Sequence, residues 1–160
     1  MGSSEELLDS LTGLRGSKTL ILGVGNVLKG DDAAGPLVCE RLQGNVSATV
    51  IDAGTVPENY IRPVIRASPE KLLIVDAVDS GDSPGAVRVF KPDEMEAFAL
   101  STHALSLHLF ADMIRQEISL EILVLGIQPA QTKLGEKISP AVWQSINAVT
   151  ETLRGIFPAD

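Results

Sequence analysis

Three apolar runs in this chain end in acidic residues. The run from Thr19 to Val24 leads through Gly25-Asn26 to Gly30-Asp31-Asp32, Val50-Ile51 ends in Asp52, and Leu72–Val75 ends in Asp76. A carboxylate that closes a buried run is costly unless it is paired, hydrogen-bonded or metal-bound. A fourth candidate, His103, stands just before a helical pattern that starts at Ala104. Carboxylates and an imidazole converging on one rim supply hard and borderline donors for a divalent metal. Each residue also has a plainer reading. Asp31 or Asp32 serves equally well as a helix cap, where Asp is favoured. Asp52 precedes Ala-Gly-Thr and reads as a turn former. A lone His103 is more often structural than a ligand. Asp76 is the hardest to dismiss, because it terminates the most apolar of the runs.

Other nucleophiles read as structural. Cys39 follows Leu37-Val38 in a helical pattern with no supporting His nearby, which marks a small core residue. His108 lies at the edge of an apolar helix face, and Phe110 and Trp143 read as core. Gly81-Asp-Ser-Pro-Gly85 matches the GxSxG string, yet it leads into a strand, and Pro84 removes the N–H that an oxyanion site needs. Gly23-x-Gly25 has Leu28 where a dinucleotide fingerprint needs its third glycine, and no phosphate-binding GxxxxGK[ST] loop is present.

The elements that must position these residues alternate between strand and helix patterns, the signature of an α/β fold. Helix is expected over Glu5–Leu14 behind a Ser3–Glu6 capping box, and over Ala33–Leu42 up to Gly44. It is expected again after a Thr55–Glu58 box up to Arg66, with Pro63 kinking that helix or shifting its start. Further helices are expected over Pro92–Phe98, over Ala104–Gln116, and from Ser139-Pro140 to Gly155. Strands are expected at Lys18–Val24, Ala48–Asp52, Lys71–Ala77, Ala86–Lys91 and Glu121–Gly126. The fourth is antiparallel, because Asp79–Pro84 is too short for a parallel crossover. Gln128–Lys137 reads as a mobile loop. The expectation is a three-layer α/β/α sandwich with a mixed five-stranded sheet. It spans residues 1–160 as one domain, with residues 1–16 as an N-terminal helical extension.

Composition narrows the class. The chain has 160 residues, 44% hydrophobic and 21% charged, with 13 basic and 21 acidic residues and a net charge of −8. That balance argues against nucleic acid or an anionic membrane as partner. One cysteine excludes a disulfide framework and a paired-cysteine zinc site. No run approaches the roughly 20 residues of a membrane span. The first residues show no basic leader segment and fail the myristoylation pattern. A monomer in the cytoplasm is the expectation.

Five segments together resemble the nickel–iron hydrogenase maturation endopeptidases. They are Gly23-Val-Gly-Asn-Val-Leu-Lys-Gly-Asp-Asp-Ala-Ala-Gly-Pro36, Val50-Ile-Asp-Ala-Gly-Thr-Val-Pro-Glu-Asn59, Leu72-Leu-Ile-Val-Asp-Ala77, Ser101-Thr-His-Ala-Leu105 and Leu125-Gly-Ile-Gln-Pro129. They occur in register over about Lys18–Gly155, and their details resemble most the hydrogenase-3-type branch, which serves formate hydrogenlyase and energy-converting hydrogenases. The resemblance implies an enzyme that removes the C-terminal peptide of the large-subunit precursor after nickel insertion. It places the metal contacts on Asp32, Asp76 and His103 and the catalytic work on Asp32 and Asp76, with Asp31 and Asp52 beside the substrate. Many relatives have Glu at the position of Asp32. The nickel arrives with the precursor, although other divalent ions would suit the same donors. A non-catalytic nickel-binding module on the same scaffold is the rival implied function. A phospho-receiver domain fits less well, since it needs a Lys at the end of the fifth strand and would leave His103 without a role. Gly23, Gly25, Gly30 and Gly35 are expected to keep the rim open to a peptide.

Overall fold

The sheet consists of β1 (Thr19–Gly23), β2 (Thr49–Asp52), β3 (Lys71–Ala77), β4 (Val87–Phe90) and β5 (Glu121–Ile127), in the spatial order β2-β1-β3-β5-β4. The computed structural model describes residues 4–98 and 104–160, with side chains described for 5–95 and 107–160. Only β4 is antiparallel, running against β5 with Val87 opposite Ile127. The helices are α1 (Ser4–Leu11), α2 (Ala34–Leu42), α3 (Ile61–Ala67), α4 (Pro92–Phe98), α5 (Ala104–Glu117) and α6 (Pro140–Ile156).

Every position of β1, and all but the first of β3, is buried. Helices cover both faces of the sheet, so its central strands must be apolar throughout rather than alternating. Successive residues serve opposite layers. Ile21, Leu73, Val75 and Leu125 pack with Leu11, Val38, Ile146 and Leu153 from α1, α2 and α6. Leu20, Leu22, Leu72, Ile74 and Val124 pack with Val64, Met95, Phe110 and Ile114 from α3, α4 and α5. Each such buried side chain contributes roughly 1.5–3 kcal/mol. Among the described residues no helix is long and apolar enough to cross a membrane.

Four expectations are corrected. The first helix stops at Leu11 and gives way to a 3-10 turn at Thr12–Leu14; Ser3 of its capping box lies outside the described residues. The Thr55–Glu58 box does not form. A 3-10 turn at Pro57–Tyr60 takes its place, and α3 starts only at Ile61. Pro63 therefore falls in the first turn of α3, where its missing N–H costs nothing. Trp143 is not core: it is 38% exposed, with the Arg41 guanidinium 5.2 Å from its ring centre. The buried stripe of α6 runs through Val142, Ile146, Val149 and Leu153, and Trp143 is one residue, about 100°, off it. Finally, the segment after β5 is not a loose loop but is stitched down by the hydrogen bonds described below.

Candidate active site

The parallel strands all end at one edge of the sheet, the carboxyl edge, and the acidic residues collect there as this topology requires. Gly23 of β1 stands in register with Asp52 on one side and Val75 on the other. Asp76 follows in β3, opposite Gly126 of β5. Both flanking aspartates are thus placed by the register of β1.

Asp31 and Asp32 lie on a 3-10 turn, Gly30–Ala33, laid over the ends of β1 and β3. The fit is close. Val24 N donates to Val75 O at 2.9 Å, and a Cβ on Gly35 would stand 2.4 Å from that same oxygen. A Cβ on Gly25 would stand 1.9 Å from Asp32 O. These glycines, with Gly23 and Gly30, make room for the chain's own backbone and not for an incoming peptide, which corrects the expectation of an open rim. Neither aspartate caps α2, whose N-terminus has no side-chain cap.

The two neighbours have different surroundings. Asp31 is fully buried. Its Oδ2 accepts from Ala130 N at 2.8 Å, Gln131 N at 3.1 Å and Ser139 Oγ at 2.9 Å, and its Oδ1 accepts from Ser139 N at 2.7 Å. Asp32 is 8% exposed, and its Oδ2 accepts from Asn26 N at 2.8 Å. Among the described residues no donor reaches its Oδ1. Of the adjacent pair, Asp32 is the one with an acceptor left for a ligand.

Asp76 is fully buried and shares its face of β3 with Leu72 and Ile74, the face that α5 covers. Only three residues, Ile118–Leu120, separate α5 from the start of β5. The C-terminal end of α5 therefore sits at the amino edge, and its N-terminal end points to the carboxyl edge. His103, the residue before α5, lies outside the described residues. Among the described residues no three His, Cys, Asp or Glu side chains form a metal-sized cluster. Asp52 is exposed, and its Oδ1 accepts from Gly54 N at 2.9 Å, the turn chemistry its neighbours suggest.

The comparisons with known proteins agree with this geometry. The HycI hydrogenase maturation protease family matches residues 36–155. Hydrogenase 3 maturation protease of Escherichia coli is 36% identical over 139 residues, which is 85% of this chain and 88% of that protein. The crystal structure of the nickel–iron hydrogenase maturation protease HycI from Thermococcus kodakarensis superposes with a TM-score of 0.82 at 31% identity, covering 94% of this chain and 97% of that one. The solution structure of the endopeptidase HycI from Escherichia coli gives 0.77 at 32% identity, with 86% and 90% covered. The chain belongs to the hydrogenase maturation protease family. It is a protease of that family, and not a binding module on its scaffold.

Within the family fold, the other nucleophiles fall away. Cys39 is 2% exposed and its Sγ donates to Ile51 O at 3.5 Å. Burial, reinforced by the nearby Asp52 charge, pushes its pKa up to about 12, so no thiolate forms near neutrality. Gly81–Gly85 forms a turn leading into β4, with no strand-to-helix elbow.

Three residues escaped the sequence reading. Gln128, 6% exposed, holds the loop after β3 through both ends of its amide. Its Oε1 accepts from Ser80 N at 2.8 Å and Asp82 N at 3.2 Å, and its Nε2 donates to Asp79 Oδ1 at 3.0 Å. That bond, with one from Gly81 N, lowers the Asp79 pKa below the usual carboxylate range. An amide directly after a buried run was the available signal. Ser139 reads as a cap, yet its hydroxyl turns to Asp31. Asn26 has no apparent role in sequence, yet its N–H orients Asp32.

Proposed function

We propose that this protease removes the C-terminal peptide of a nickel–iron hydrogenase large-subunit precursor once nickel has been inserted, acting as a monomer in the cytoplasm. The observation that carries the reading is the open Oδ1 of Asp32 at the edge where Asp76 also stands. Asp32 and Asp76, with His103 by resemblance, offer oxygen and imidazole donors and leave coordination positions vacant. That donor set is incomplete on its own. It suits a nickel ion that belongs to the substrate and arrives held by the precursor's thiolates; other divalent ions would occupy the same donors more weakly. Recognition of the metal fixes the scissile peptide bond against the carboxylates. A carboxylate then takes a proton from water, the water oxygen attacks the peptide carbonyl carbon, and the C–N bond breaks as the proton passes to the leaving nitrogen. Asp31 serves by holding the loop after β5, and Asp52 borders the path of the tail. The single cysteine, buried and unpaired, is consistent with a reducing compartment.

The test is incubation of the purified chain with nickel-loaded precursor, followed by mass analysis. Loss of a C-terminal peptide with wild type, and none with a folded Asp76→Asn variant, is expected. A precursor of unchanged mass after incubation with folded wild type would contradict the proposal.

A further inference from the structure

Half of the large apolar side chains exposed among the described residues lie on loops of the carboxyl edge: Val27 at 61%, Leu28 at 64%, Val56 at 40% and Leu134 at 71%. These loops are fastened. Gly135 N donates to Leu28 O at 2.8 Å, which sets Leu134 beside Leu28 across two loops. Leu28 N donates to Asn26 Oδ1 at 2.9 Å, and Asn26 N holds Asp32. Gly25 N donates to Gly54 O at 2.8 Å, which ties in the loop carrying Val56. Asp31 anchors the far loop through Ala130, Gln131 and Ser139. Exposed apolar residues on loops that such bonds fasten to one another mark a surface meant to be covered.

Charge indicates what covers it. The chain carries a net charge of −8 and six lysines, yet three of them, Lys29, Lys133 and Lys137, sit on these two loops. Glu136 is the one acid within residues 26–30 and 128–138, and its Oε1 is engaged by Lys133 N at 2.7 Å. The Leu28–Leu134 part of the lip is apolar and basic on an acidic protein, whereas the Val56 loop carries only Glu58 as a charged residue; Asp32, which Asn26 N holds, follows closely in the chain.

We propose that the Leu28–Leu134 lip grips the C-terminal peptide of the precursor through an apolar stretch with a carboxylate beside it. This rests on the maturation reading above. It adds a specificity surface that acts on peptide, separate from the recognition of metal.

The test uses the full chain and nickel-loaded precursor, with both binding and cleavage measured. Leu28→Ser with Leu134→Ser should raise KM and Kd at least about tenfold, because two apolar contacts are lost. kcat at saturation should stay within roughly twofold. Lys29→Glu with Lys133→Glu should raise KM severalfold, with the effect fading as salt rises to about 0.5 M. Large subunit already lacking its C-terminal peptide should bind wild type and the leucine variant alike. An unchanged KM and Kd in the leucine variant, with wild type active, would overturn the lip. So would a lip that instead holds two copies of the chain together, seen as wild-type dimers lost in the leucine variant with precursor binding intact. Precursor that binds wild type, binds the leucine variant weakly and is cut by neither supports the lip and refutes the cleavage reading alone.

Discussion

The two sides of the short turn Gly30–Ala33 use the same side chain for opposite ends. On the side facing the loop after β5, the Asp31 carboxylate accepts four hydrogen bonds and is closed to solvent. On the side facing the ends of β1 and β3, Asp32 accepts one from Asn26, with its Oδ1 open. The first is a fastening, and the second is the carboxylate that the proposed function uses. A buried carboxylate surrounded by N–H donors has no acceptor left to offer, whereas one held by a single bond is both oriented and available. The difference teaches how neighbours can divide the work: Asp31 fastens the loop after β5, which leaves Asp32 as the one of the pair that the proposed function can use.

The comparison breaks most visibly through activity. Asp32→Asn or Asp76→Asn should reduce precursor processing by roughly a thousandfold or more, about 4 kcal/mol in barrier, while circular dichroism and the urea midpoint stay close to wild type. Wild-type activity in either variant would remove that residue from the site. Asp31→Ala should do the reverse. It removes the acceptor of three backbone N–H groups, of which that of Ser139 is buried, and should cost about 3–5 kcal/mol of stability by denaturant titration. The fraction that stays folded should still cleave within roughly tenfold of wild type. Cys39→Ser replaces a buried thiol by a more strongly hydrated hydroxyl, with Ile51 O as its acceptor, and should cost about 1–3 kcal/mol with processing unchanged. Loss of processing in a folded Cys39→Ser protein would restore a thiol mechanism. The smallest effect concerns Asp79. Its pKa is lowered in the folded state, chiefly by the Gln128 amide, so its stabilisation is present above the unfolded value of about 3.9 and lost as pH falls through the folded one. Asp79 is almost wholly solvated, so Asp79→Asn should lower the melting temperature by about a degree or less. The difference should persist at neutral pH and vanish in acid.

The strands were legible because burial on both faces makes each a continuous apolar run, and the antiparallel β4 followed from the shortness of Asp79–Pro84. The acidic positions were legible as strand ends, but the choice between Asp31 and Asp32 was not. It depends on Ala130, Gln131 and Ser139, about a hundred residues away in sequence, which local spacing cannot show. The same distance hid Gln128, whose partners lie nearly fifty residues earlier. The Thr55–Glu58 box misled because Pro57 favoured a tight 3-10 turn. Trp143 misled because an aromatic residue in an apolar helix is read as core, while here Arg41 stacks on it at the surface.

The central claim is that the carboxyl-edge carboxylates read a metal brought by the substrate. The most direct measurement is a processing assay with three inputs: apo precursor with a chelator, nickel-loaded precursor, and apo precursor added to enzyme that was pre-incubated with nickel and then desalted. The account predicts efficient cleavage of the nickel-loaded precursor alone. Cleavage of apo precursor at a comparable rate in the presence of chelator would contradict it.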